Sequence, residues 1–120
     1  EFRRVLFRSL LTASLHMGAI LGGANKDQIE KILQIGECIG LTFQIVDDLL
    51  DQNGKESKIG KPVGADRENK KTTYLSLYSA QNAQGLIQSL TKDASRISKA
   101  LAGKNSFIVW LVNQLANRSN

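Results

Sequence analysis

Apolar residues recur along most of the chain with the three- and four-residue spacing of helices. Residues 10–21 are apolar or small on every side and end at two glycines, which predicts a buried helix and its stop. A longer helix is predicted from Asn25 to Asp51. Asn25 and Gln28 have the spacing of a capping box, and apolar residues then recur at helical intervals as far as Leu50.

Gly36 and Gly40 lie near the centre of this long helix. A glycine inside a helix costs about 1 kcal/mol relative to alanine. We therefore expect a neighbouring helix to approach closely at both positions, where a side chain would be in the way.

The helical period stops after Asp51. Residues 52–71 contain three glycines and one proline, and they predict a long functional loop. A short helix is predicted over residues 73–79. No segment alternates in the manner of a strand, so the predicted fold class is all-α.

Two further helices are predicted at the C-terminal end. The first has an apolar stripe and ends at Gly103, and the second is capped by Ser106. We expect Trp110 to pack this last helix against the rest of the protein. The apolar positions are Leu86, Leu90, Ala94, Ile97 and Leu101 in the first helix, and Phe107, Leu111 and Leu115 in the second.

Residues 1–9, EFRRVLFRS, differ from the rest of the chain. They hold three arginines and have no helix cap and no helical apolar face. We interpret them as a non-native tail, a cloning or adaptor remnant, and exclude them from the fold. Residues 10–120 are then long enough for one domain and too short for two.

The net charge of +5 is unevenly distributed. Beyond the first nine residues the excess lies in residues 55–71, which hold six Lys or Arg and three Asp or Glu. A localised excess indicates a small-anion site and disfavours a broad nucleic-acid surface. The longest uncharged apolar run, residues 9–25, contains polar residues and glycines and is a poor membrane span. Cys38 is the single cysteine, so no internal disulfide forms, and we expect a cytoplasmic protein.

The segment FQIVDDLLD, residues 43–51, concentrates acid on one side of the long helix. At helical spacing Gln44, Asp47, Asp48 and Asp51 share a face. The carboxylates repel one another, and at the predicted C-terminal end of the helix they also meet the negative end of the helix dipole. A hard cation would reverse both penalties, which indicates a Mg²⁺ site. A solvated acidic helix end is the alternative interpretation.

A basic segment with several glycines follows this acidic face. It contains GKPVGAD, residues 60–66, and NKKTTY, residues 69–74. Lys61 and Lys71 would be ordinary surface lysines if the segment stood alone. Beside a metal site, however, ammonium groups and exposed backbone N–H groups suit the oxygens of a diphosphate.

FQIVDDLLD followed by GKPVGADRENKKTTY resembles the second aspartate-rich region of the trans-polyprenyl diphosphate synthases, the farnesyl and geranylgeranyl diphosphate synthase family. LLTASLHMGAILGGA, upstream, resembles the preceding helix of that family. The resemblance implies an all-α, isoprenoid-synthase-like helical bundle. It also implies a Mg²⁺-dependent prenyltransferase that condenses an allylic diphosphate with isopentenyl diphosphate, as a homodimer.

The family's roles map onto matching positions of this chain. Asp47 would be a direct Mg²⁺ ligand, with Asp48 and Asp51 binding metal-held water or supporting it. Lys61 and Lys71 would hold the allylic diphosphate, and Lys61 would also stabilise the leaving group. Gln44 would face the reacting centre, near the departing diphosphate.

The chain departs from the family pattern on its N-terminal side. The family has a first aspartate-rich motif, basic residues for isopentenyl diphosphate, and a Lys-Thr pair just before the helix that begins near residue 10. None of these occurs here, and Phe7, Arg8 and Ser9 stand where the pair is expected. We therefore expect residues 10–120 to be the C-terminal half of a truncated synthase, inactive by itself.

Three other functions fit the sequence less well. A terpene cyclase of the same fold is one, although the lysine-rich segment fits chain elongation better. A non-catalytic subunit of a heteromeric prenyltransferase would keep the fold but would not need three repelling carboxylates. A small, basic, nucleic-acid-binding helical domain is disfavoured by the localised charge and the few aromatic residues.

Overall fold

The structure is a computed structural model that describes residues 2–59 and 80–119, with side chains described for residues 5–52 and 81–118. These residues form four α-helices and no strand, which confirms the all-α prediction. The helices are α1 (Phe2–Leu21), α2 (Lys26–Ile59), α3 (Ala80–Ala102) and α4 (Phe107–Ala116), and a 3₁₀ turn (Asn117–Ser119) follows. The predicted helix over 73–79 lies outside the described residues.

The predicted capping box opens α2. The Asn25 N–H donates to Gln28 Oε1 at 2.9 Å, and the Gln28 N–H donates to Asn25 Oδ1 at the same distance. Each bond satisfies a backbone donor that has no partner within the helix. Asp27 in the first turn of α2 also pairs with Lys31, at 2.7 Å. The start of α2 was therefore predictable from local sequence alone.

The predicted end of α2 was wrong. The helix continues beyond Asp51 to Ile59, through eight residues that were expected to begin the loop. A polar segment can continue a helix without a buried face because its backbone hydrogen bonds are internal, and one glycine there costs only about 1 kcal/mol. The aspartates consequently lie within α2 rather than at its negative end.

The start of α1 also differs from expectation. Residues 2–9 were excluded from the fold, but they form the first turns of α1. The Phe7 ring stacks on Phe43 of α2, with 4.4 Å between ring centroids. The segment contains no glycine or proline, and Leu and Arg are good helix formers. Whether residues 1–9 are native is a separate matter, and their assignment as an adaptor remnant stays a prediction.

The two interior glycines of α2 face α1, as predicted. A Cβ at Gly36 would lie 3.2 Å from the Cα of Thr12, and a Cβ at Gly40 would lie 2.8 Å from Cγ of Arg8. Side chains at these positions would force the two helices apart. The turn into α2 uses Gly23 in the left-handed region, with φ of 77°.

The core surrounds α2, which contacts α1, α3 and α4. The predicted stripe of α3 faces this core, since Ala94 is buried and the other four members are partly buried. The helix ends at Ala102 and Gly103 follows with φ of 85°, as the sequence indicated. One buried cluster contains Ile45, Val46, Leu49, Ala83 and Ile87, and the other contains Ile35, Ile39, Ala94 and Val112.

The last helix packs through a face that matches the prediction only in part, since Leu115 packs against the second core cluster and Leu111 is partly buried. Ser106 occupies the N-cap position, but its hydroxyl makes no capping hydrogen bond. The buried residues are Val109 and Val112, whereas Phe107 is 71% exposed and Trp110 is 55% exposed. These two rings stack on each other at 5.5 Å. The run FIVWLV is apolar on all sides, so periodicity could not identify its buried face.

Candidate metal and diphosphate site

The predicted acidic residues all lie on α2, but burial separates them. The side chain of Asp47 is 44% exposed and Asp51 is exposed, whereas Asp48 is 5% exposed. Gln44 is partly buried. Asp47 and Asp51 lie one helical turn apart, so two carboxylates reach solvent on the same side of the helix. The sequence pattern placed all three aspartates on one face and did not predict the burial of Asp48.

The burial of Asp48 follows from the apolar residues around it on α2. Ile45 and Val46 are fully buried and Leu49 is 7% exposed, so this side of the helix faces the core. Asp48 therefore differs from Asp47 and Asp51, whose carboxylates reach solvent.

A basic residue from the end of the chain lies beside Asp47. Arg118 Nη2 is 3.5 Å from Asp47 Oδ1, and the guanidinium carbon is 4.5 Å from the centroid of the Phe43 ring. The same Phe43 ring stacks on Phe7 from α1. Three separate parts of the chain therefore meet at the aspartate face, the part of α2 that carries Gln44, Asp47, Asp48 and Asp51.

Sequence reasoning missed Arg118. The sequence offered one signal, because Arg118 is the only Lys or Arg after Lys104. Its distance from Asp47 along the chain hides the contact, because only the packing of α4 against α2 brings the C-terminal turn to the acidic face.

The exposed carboxylates fit a particular kind of metal site. Among the residues described, no three His, Cys, Asp or Glu side chains lie close enough to hold one ion. An all-protein cage is therefore a poor fit to this part of the chain. Mg²⁺, however, is usually held by one or two carboxylates together with phosphate oxygens and water. Asp47 and Asp51 match that donor set.

The two predicted diphosphate lysines, Lys61 and Lys71, lie outside the described residues. The structure thus brings Gln44 and the aspartates together on α2, and the role of both lysines stays a prediction.

A groove of about 710 Å³ runs between α3 and the end of α4. Its lining includes Lys92, Arg96 and Lys99, all exposed, and none of the predicted site residues. Arg96 lies 3.9 Å from Asp93. Exposed charges of this kind are strongly screened by solvent.

Cys38 is a partly buried residue against the second core cluster, in line with its predicted packing role. Burial raises the pKa of its thiol above its ordinary value, and the negative charges of Asp93 and Glu37 raise it further. A thiol of this kind is a poor nucleophile at neutral pH, since the thiolate is the reactive form.

The family of the chain follows from comparison with known proteins. The sequence model described as polyprenyl synthetase matches residues 8–104, a range that includes Gln44 and the three aspartates but neither Phe7 nor Arg118. The chain belongs to the polyprenyl synthetase family. This agrees with the resemblance drawn from FQIVDDLLD and the segment after it.

Curated relatives of this polyprenyl synthetase chain include enzymes from plants and bacteria. It is 34% identical to geranylgeranyl pyrophosphate synthase 4 of Arabidopsis thaliana over 113 residues, which are 93% of this chain and 30% of that protein. It is 35% identical to heterodimeric geranylgeranyl pyrophosphate synthase large subunit 2 of the same plant, over 92% of this chain and 30% of that one. It is 47% identical to farnesyl diphosphate synthase of Geobacillus stearothermophilus, over 62% of this chain and 25% of that one.

The chain thus spans about a third of the length of the curated relatives that it matches. No solved structure matches it. No helix among the described residues combines the length and apolar character needed to cross a bilayer.

Proposed function

We propose that this chain carries the second aspartate-rich region of a Mg²⁺-dependent prenyltransferase that condenses an allylic diphosphate with isopentenyl diphosphate. The observation that supports this most directly is the pair of solvent-accessible carboxylates, Asp47 and Asp51, one turn apart on a helix of a polyprenyl synthetase. Such a pair leaves coordination positions for substrate phosphates.

Each site residue then has a role suited to its position. Asp47 and Asp51 hold Mg²⁺, and the buried Asp48 supports them. Gln44 lies near the departing diphosphate. Lys61 and Lys71 bind the diphosphate oxygens. Bound Mg²⁺ supplies positive charge that stabilises the diphosphate as it leaves the allylic carbon.

The relatives are about three times as long, and the chain shows neither a first aspartate-rich motif nor a recognisable isopentenyl diphosphate site. We therefore propose that the 120 residues alone are inactive. We also propose that the active assembly is a homodimer, as the family resemblance implies. Turnover by the purified chain would contradict the first part of this proposal.

The proposal is tested by transfer of labelled isopentenyl diphosphate onto allylic diphosphates, using the longest natural polypeptide that contains this chain. We expect turnover that EDTA abolishes and Mg²⁺ restores. Asp47→Asn should lower kcat/KM by about 100-fold or more, the range for loss of a group that stabilises developing charge. Asp27→Asn is the matched control, because it removes an exposed, ion-paired carboxylate from the first turn of the same helix. Near-normal turnover by Asp47→Asn would remove Asp47 from the site.

A second candidate function is a subunit of a heteromeric prenyltransferase. Relatives from Arabidopsis thaliana carry the words heterodimeric and large subunit in their names. A non-catalytic subunit would tolerate Asp47→Asn without loss of activity in the assembled enzyme. The same variant, assayed in the complex purified from the source organism, therefore separates the two functions.

We also propose a cytoplasmic location, as expected for a chain with a single cysteine. Several of the relatives are named as chloroplastic, so a plastid location is the competing outcome. A fluorescent fusion of the natural full-length protein distinguishes them.

A further inference from the structure

The contact between Arg118 and Asp47 has features of a displaceable ion pair. The two charged groups are 3.5 Å apart, and their side chains are 42% and 44% exposed. Ion pairs with this exposure are weak, because water screens the charges and two long side chains must be held in place. A stronger ligand for Asp47 can therefore separate them.

The position of the guanidinium is nevertheless defined by a second contact. It lies over the Phe43 ring at 4.5 Å, within the range of a cation–π interaction. The ring itself is fixed from its other side by Phe7. The C-terminal turn therefore has a preferred place beside the aspartate face, against Phe43, which lies four residues before Asp47 on α2.

A cation at this place meets an electrostatic need of α2. Asp47 and Asp51 are like charges at i and i+4, an arrangement that destabilises a helix. Positive charge at Asp47 relieves the repulsion. Either a divalent cation or Arg118 can supply it, and two cations sharing one carboxylate oxygen would repel each other.

We propose that Arg118 is a resident counter-cation of Asp47 that a divalent cation must displace. The inference rests on the proposed role of Asp47 as a metal ligand. Without metal, Arg118 pairs with Asp47 and keeps the acidic face ordered. When a divalent cation binds Asp47, the guanidinium loses its carboxylate partner and leaves the site. The C-terminal turn thereby makes metal binding weaker than the carboxylates alone would allow.

The test measures Mn²⁺ binding to the 120-residue chain by the loss of the free-ion electron paramagnetic resonance signal, in the presence of inorganic diphosphate. Four proteins are compared: the unaltered chain, Arg118→Gln, Arg96→Gln and Asp47→Asn. Arg96→Gln is the matched control, because it removes the same charge from an arginine whose nearby carboxylate is Asp93. Circular dichroism melting confirms that each variant is folded.

We expect Arg118→Gln to bind Mn²⁺ about three- to ten-fold more tightly, which corresponds to one weak ion pair plus one cation–π contact. Arg96→Gln should change the affinity by less than about two-fold, since exposed charges are screened. Asp47→Asn should remove most of the binding. Equal affinities for the two arginine variants, with binding still lost in Asp47→Asn, would overturn the displacement by Arg118 and leave the metal site intact.

Unchanged binding by Asp47→Asn would instead overturn the proposed role of Asp47, and the displacement with it. The NMR signal of the Arg118 side-chain Nε–H provides a readout that does not depend on metal. We expect it to shift in Asp47→Asn and, in the unaltered chain, on addition of Mg²⁺ with diphosphate. An identical signal in the unaltered chain and Asp47→Asn would show that the contact is absent in solution, which also overturns the proposal.

Discussion

Two neighbouring segments of α2 depart from an ideal helix in opposite ways. The packing half of this region, residues 29–42, contains two glycines that weaken the helix, and both are in close contact with α1. The acidic half, residues 43–51, contains three aspartates, two of which reach solvent. Both departures reduce local helix stability, but only the first has a packing explanation.

The comparison teaches how structural and functional exceptions differ. A Cβ added at Gly36 would lie only 3.2 Å from the backbone of Thr12, so glycine at this position lets α1 approach α2 closely. The cost of glycine to helix stability is therefore offset by packing inside the fold. Asp47 and Asp51 instead place two like charges one turn apart where both reach solvent, and the ion pair of Asp47 with Arg118 is itself exposed. A local rule that is broken at one place on the surface is typical of a functional site.

The largest effect on stability should come from the packing half. Ile35 is fully buried in the second core cluster. Ile35→Ala removes three carbon atoms and leaves a cavity, which should lower the free energy of unfolding by about 2–4 kcal/mol. Urea denaturation measures this. Leu21→Ala is the control, because Leu21 is exposed, and it should change stability by less than about 0.5 kcal/mol.

Adding a side chain at Gly36 should have the next largest effect on stability. Gly36→Val adds atoms against the Thr12 backbone and should destabilise the chain by about 1–3 kcal/mol, as overpacking does. Gly18→Val adds the same atoms on α1, where nothing lies within 4 Å. Thermal melting of both variants compares them directly. Equal loss of stability in the two variants would mean that the effect at Gly36 comes from helix propensity rather than from the close approach of α1.

The acidic half should respond much less. Asp47→Asn removes the Arg118 ion pair but also removes repulsion with Asp51. These small terms oppose each other, so the free energy of unfolding should change by less than about 1 kcal/mol. A loss greater than about 2 kcal/mol in urea denaturation would mean that Asp47 is retained for stability. The contrast between the two halves would then fail.

The smallest effect concerns Cys38, which belongs to the packing half. Burial and the charges of Asp93 and Glu37 favour the neutral thiol and raise its pKa above that of an ordinary cysteine. The midpoint of the pH profile for alkylation by iodoacetamide should therefore lie at higher pH than that of a short unstructured peptide with one cysteine. Asp93→Asn removes a negative charge, lowers the pKa and should move the midpoint of the rate profile to lower pH. A midpoint at or below that of the peptide would contradict the assigned environment.

Local sequence patterns predicted the local features of the fold. The capping box at Asn25, the two close-approach glycines and the stop at Gly103 each depend on neighbours within a few residues or on one unusual residue type. The sequence pattern failed where contacts between distant parts of the chain determine the structure. The buried face of the FIVWLV run depends on what α4 packs against, and a polar segment after Asp51 has no period from which to judge its length.

The candidate site was likewise predicted in part, where it depends on local spacing, and missed where it depends on tertiary contacts. Helical spacing brought Gln44 and the aspartates to one side of α2, but it could not predict that Asp48 is buried among Ile45, Val46 and Leu49. Arg118 lies far from Asp47 in sequence, and only the docking of the C-terminal turn brings them together. Family resemblance assigned roles to residues of its known motifs, and Arg118 lies outside them.

The decisive measurement is the location of a divalent cation on α2. Mn²⁺ broadens the amide NMR signals of residues close to it, so the experiment adds small amounts of Mn²⁺ with inorganic diphosphate to the labelled 120-residue chain. We expect the signals of residues 44–51 to disappear first, and we expect Asp47→Asn to abolish this selectivity. Equal broadening around the exposed Asp27 and Asp93, or selective broadening that persists in Asp47→Asn, would contradict a metal site at the aspartate face.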